Sequence, residues 1–95
     1  MKINNVHDLM ESLRHGGKYA WPGGYPKFWL ADDGEALSYE AVTGNIWQIA
    51  RAVRDQEKSG WCVWGCDVNW EDRELYCAHT GDRIESAYAE DESET

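Results

Sequence analysis

The 95-residue chain lacks any long apolar run, and this bounds its class before any motif is considered. Its hydrophobic stretches span only a few residues, and no basic start leads into an apolar segment. Neither a membrane span nor a secretory signal is expected, and the reading is a soluble protein of the cytoplasm. Cysteines are few and odd in number, Cys62, Cys66 and Cys77, which argues against a disulfide framework and for reduced thiols. Lysine and arginine are scarce, nine against eighteen Asp and Glu. So few cations are poorly suited to displacing counterions from a phosphate backbone, and no direct contact with nucleic acid is expected. Glycines 16, 17, 23 and 24 lack the strand-loop-helix setting, with a following Lys and Ser or Thr, that a phosphate-cradling loop requires. No nucleophile signature surrounds Cys77. The chain is therefore read as a non-enzyme without a cofactor.

What is present is enough for one domain. Hydrophobic residues make up 42% and charged residues 28%, so the chain can bury a core and is not disordered throughout. Six Trp and five Tyr are a heavy load for this length. Each large ring can bury about 150–250 Å², so most of them are expected to build the core. The charge is uneven. Residues 1–66 hold eight acids and seven bases, whereas residues 67–95 hold ten acids and only Arg73 and Arg83. The last third is an acidic block, and its natural complement is a basic protein surface.

Val6, Leu9, Met10 and Leu13 follow the i, i+3, i+4, i+7 pattern of an amphipathic helix over residues 6–15, with Asn5 as cap and Gly16 as stop. Residues 16–26 contain four Gly and both Pro, which predicts an irregular loop. Residues 27–31 and 36–39, joined by Asp32-Asp33-Gly34-Glu35, read as a hairpin. Val42, Ile46, Ile49, Ala50 and Val53 then form a helical stripe from about residue 40 to 59, with Gly44 leaving its start uncertain by several residues. Residues 61–70 read as a strand with Cys62, Trp64, Cys66, Val68 and Trp70 on one face. Residues 75–79 and 83–88 read as a second hairpin about Thr80-Gly81-Asp82. The expected architecture is α+β: a small antiparallel sheet with two helices packed on one face, in the order α-β-β-α-β-β-β. The domain is expected over residues 1–89, followed by a mobile acidic tail over 90–95.

Three groups of residues could carry chemistry. Cys66, Cys77 and His79 could hold zinc if strand pairing brought them together, which defines a small zinc-binding structural domain as the alternative reading. Cys62 is set aside because a strand would hold it about 13 Å from Cys66. The carboxylates of Asp67, Glu71, Asp72, Glu74, Asp82 and Glu85 could imitate a run of phosphates and occupy a basic groove. The glycine-rich loop offers Tyr19, Trp21 and Tyr25, residue types that often dominate interfaces. Exposed aromatic rings could also drive a homodimer.

The stretches Tyr19 to Pro26, Asp33 to Ser38, Asp67 to Asp72 and His79 to Tyr88 together resemble short acidic proteins encoded by phages and other mobile elements. Some of that group carry Cys-x-His-Cys where this chain has Cys77-Ala78-His79-Thr80, so one ligand of a zinc-ribbon-like piece is missing here. In size and acidity the chain is also similar to anti-CRISPR proteins, some of which are DNA mimics. The resemblance implies a viral inhibitor that acts in the bacterial cytoplasm by binding a basic host protein, with a CRISPR effector subunit as the expected partner.

Overall fold

A computed structural model of the chain describes residues 1–20 and 23–88. The first helix, α1 (Val6–Arg14), starts where the Asn5 side chain accepts the Asp8 amide at 2.8 Å, which satisfies one of the free donors of the first turn. It stops at His15, ahead of Gly16 and Gly17, both at positive φ. The strands are β1 (Tyr19–Ala20), β2 (Tyr25–Ala31), β3 (Ala36–Leu37) and β4 (Val63–Val68), with helices α2 (Tyr39–Gly44) and α3 (Ile46–Asp55) between β3 and β4. The class is α+β. Strand β2 is central and pairs antiparallel with each of the other three.

Trp29 stands opposite both Leu37 and Cys66, so these three side chains share one face of the sheet. All three are buried, and Trp29 is fully so. Its indole nitrogen donates to Ser12 Oγ at 2.9 Å, and its ring meets Tyr39 of α2 at 5.9 Å. Helix α3 packs on α1 and β4 and brings Ile49, Ala52 and Val53 into the same core. The helices thus gather over the Trp29 face.

Four local departures from the expected elements have physical causes. The single helix over 40–59 is two. Ser38 caps α2 by accepting the Ala41 amide at 3.1 Å, and Asn45 breaks the run by donating its side-chain amide back to the Ala41 carbonyl at 2.8 Å. The glycine-rich loop contains the short strand β1, which pairs with Tyr25 and Pro26. The second hairpin keeps one bridge, Tyr76 with Arg83, in which the Ile84 amide donates to Leu75 and the Cys77 amide to Asp82, while the rest of its arms bonds elsewhere. The Ala78 amide goes to Ala36, and those of Ala87 and Tyr88 go to Asn69 and Trp70.

The fourth departure is a β-bulge in β4. Leu30 faces Gly65 but Ala31 faces Val63, so Trp64 has no partner across the ladder. The bulge shifts the alternation. Val63 and Cys66 are buried, while Trp64 turns outward and donates its indole N–H to the Ala31 carbonyl at 2.9 Å. The expected single apolar face from Cys62 to Trp70 is thereby broken. Along the outer side of β4 lie residues 1–3: the Met1 and Cys66 backbones exchange two hydrogen bonds, and the Ile3 amide donates to the Trp64 carbonyl at 2.8 Å. The expected tail at 90–95 lies outside the described residues, as do residue 89 and Trp21.

Candidate functional site

Immediately after β4, Asn69 is buried at 3% exposure and ties three stretches of chain together. Its amide donates to the Pro26 carbonyl at 2.9 Å, extending the ladder with β2, and its carbonyl accepts the Ala87 amide at 2.9 Å. The side-chain Nδ2 donates to the carbonyls of Asp72 and Glu85 at 3.0 and 3.1 Å, and Oδ1 accepts the Asp72 amide at 3.1 Å. An amide side chain offers two donor protons and a two-lone-pair acceptor. Here that capacity closes the 69–72 turn and clamps the 84–88 segment to it.

Three aromatic rings collect at this junction. Tyr25 and Trp70 lie 4.6 Å apart between centroids, Trp70 and Tyr88 stack at 5.9 Å, and Tyr25 and Tyr88 lie 6.4 Å apart. Trp70 is 44% and Tyr88 50% exposed, so the group forms a surface platform. The Tyr25 ring is held from behind by Gly23 at φ 109°. A Cβ there would come within 2.6 Å of Tyr25 Cε2. The Tyr88 hydroxyl ionises less readily than an ordinary phenol, first because of its hydrogen bond with the Tyr25 hydroxyl, with the Glu71 carboxylate adding repulsion.

Of the acids singled out from the sequence, Glu71 directly follows Trp70 and Glu85 borders the groove beside Tyr25, whereas Asp82 lies at the turn that bonds Cys77. Asp67, Glu71, Asp72, Glu74 and Asp82 are exposed, and Glu85 is half-buried. Several are held by backbone: Asp67 Oδ1 accepts the Val68 amide at 2.8 Å, and Asp72 Oδ1 accepts the Glu74 amide at 2.9 Å. Glu85 Oε1 receives the Tyr19 hydroxyl in a long contact of 3.4 Å. Of the loop aromatics, Tyr25 is thus part of the platform and Tyr19 sits beside Glu85. Beside Tyr25 opens a groove of about 630 Å³ bordered by Lys18, Arg83, Glu85 and Ser86. Ser86 is 2% exposed, and its hydroxyl has no hydrogen-bond partner among the described residues.

Trp70, Tyr88 and Asn69 were not among the sequence-derived candidates. Strand alternation assigned Trp70 to an apolar face, and Tyr88 ended a supposed hairpin arm. The available signal was the charged run Glu71-Asp72-Arg73-Glu74 directly after Trp70.

The thiols are not gathered. Cys66 lies on β4 facing the helices, whereas Cys77 accepts the Ser38 amide at 3.3 Å beyond the end of β3, about two strand spacings or 10 Å across the sheet. His79 is exposed and packs edge-on to Trp61 at 5.2 Å. Among the described residues no three His, Cys, Asp or Glu side chains converge to hold an ion, so the proposed ligand set of Cys66, Cys77 and His79 is not assembled. Burial pushes the Cys66 thiol up to about 11, although Lys27 and the Met1 ammonium pull the other way. Burial also acts upward on Cys77, but hydrogen bonds from Ser38 and Thr80 outweigh it and leave the thiol below its ordinary value. No described helix is long and apolar enough to cross a membrane. No family model, curated protein or solved structure matches the chain.

Proposed function

We propose that the chain is a non-enzymatic binding protein whose acidic face docks on the nucleic-acid-binding surface of a basic host protein, in the manner of the phage-encoded inhibitors it resembles. A CRISPR effector subunit is the partner this reading favours, with the bacterial cytoplasm as the place of action. The observation that supports it is the attachment of the acidic segment to the sheet through buried Asn69. Carboxylates on a fixed backbone lose less freedom on docking than those of a floating tail, so more of their attraction is realised as affinity. Their summed field also steers a basic partner toward this face.

The test is capture from a bacterial lysate with and without excess duplex DNA, beside a variant with Glu71, Asp72, Glu74, Asp82 and Glu85 changed to Gln or Asn. The expected result is retention of a basic nucleic-acid-handling protein that DNA, salt and neutralisation each release. Retention that survives neutralisation sinks the electrostatic reading.

A further inference from the structure

We infer that the Tyr25–Trp70–Tyr88 platform receives one arginine side chain of the basic partner, an inference that rests on the acidic-face reading above. The rings touch one another, yet Trp70 and Tyr88 keep about half of their surface open. Aromatic faces carry a negative quadrupole and attract a cation placed over them. Carboxylates stand on two sides: Glu71 follows Trp70 in the chain and acts on the Tyr88 hydroxyl, and Glu85 borders the groove with Tyr25. A cation seated on the rings therefore also meets negative charge nearby.

The chemistry selects arginine over lysine. A guanidinium is flat and weakly hydrated, stacks on an aromatic face and still directs its in-plane donors at carboxylates, whereas an ammonium is a compact and strongly hydrated point charge. A groove adjoins the platform beside Tyr25. The Ser86 hydroxyl is buried beside it and has no partner among the described residues. Lys18 and Arg83 also border the groove.

The probes are two capped pentapeptides, Gly-Ser-Arg-Gly-Ser and Gly-Ser-Lys-Gly-Ser, titrated into isotope-labelled full chain. The readout is the Trp70 indole N–H resonance, assigned with Trp70→Phe. The expected result is a Trp70 shift with the arginine peptide and an affinity about fivefold above that of the lysine peptide. Tyr88→Ala, an exposed position, is expected to abolish that difference. Equal affinities, or shifts that bypass Trp70, overturn the arginine site. An octalysine peptide at low salt separates this from the parent reading: its binding, lost on charge neutralisation, keeps the acidic face even when the arginine site fails, and its failure to bind removes both.

Discussion

The ammonium of Lys27, in the central strand, donates to the Ser12 carbonyl at 2.7 Å near the end of α1. It also donates to the His15 carbonyl at 3.0 Å, so a sheet residue caps the helix from below. The last carbonyls of a helix carry the negative end of its dipole, which a buried cation complements. The same burial lowers the Lys27 pKa, with the neighbouring Cys66 opposing. Lys27→Met preserves the apolar stem but leaves two carbonyls without this donor. A loss of about 1–3 kcal/mol in urea unfolding is expected, and unchanged stability would show that the cap is dispensable.

Asn69→Ala should damage the site as well as the fold. It removes the donors to Asp72 and Glu85 and the acceptor for the Asp72 amide, all at a buried position. About 2–3 kcal/mol of destabilisation is expected, together with loss of near-ultraviolet dichroism from Trp70 and Tyr88. A spectrum identical to wild type would mean the platform does not depend on this side chain.

Gly23→Ala tests the platform from its other side. The backbone there lies at φ 109°, and the added methyl would press on the Tyr25 ring. The expected cost is about 1–3 kcal/mol from backbone strain, with altered Tyr25–Trp70 coupling in the aromatic spectrum. Substitution of Gly34, at φ 84° with open space around it, serves as a control that strains the backbone without touching the rings.

Cys66 gives the stability a slope in alkali. Its thiol holds its proton more tightly folded, to about 11, than the ordinary value of 9.0. The unfolded chain therefore loses the proton first. The stabilisation is complete below pH 9 and is lost as the pH climbs toward 11, by about 2–3 kcal/mol in all. Lys27, with its pKa lowered, contributes a slope of opposite sign on the same side of neutrality. The quantity to measure is thus the difference between wild type and Cys66→Ala in unfolding free energy from pH 8 to 11. A difference that stays constant over that range refutes the assignment.

The sequence shows the helical stripes and the hairpin through Asp33-Gly34 because both depend on local periodicity and turn chemistry. It hides the split at Asn45, since an asparagine that bonds back to its own helix looks like any polar position. The bulge at Trp64 is hidden for a similar reason: strict alternation predicts a face, but the extra residue is set by pairing with a distant strand. Trp70 keeps the parity of Cys66 and meets Tyr25, but β4 ends at Val68, so alternation alone does not show that this ring lies at the surface. The acidic residues were legible from charge alone, whereas their attachment required Asn69, whose partners are separated from it by up to 43 residues.

Residues 1–3 have a consequence for behaviour at high concentration. By pairing with Trp64 and Cys66 they cover a row of backbone donors and acceptors that an open strand would offer to any other chain. A chain lacking these residues is expected to scatter light increasingly with concentration, while the intact chain does not. Colloidal behaviour is then governed by a three-residue strip of which only Ile3 is buried.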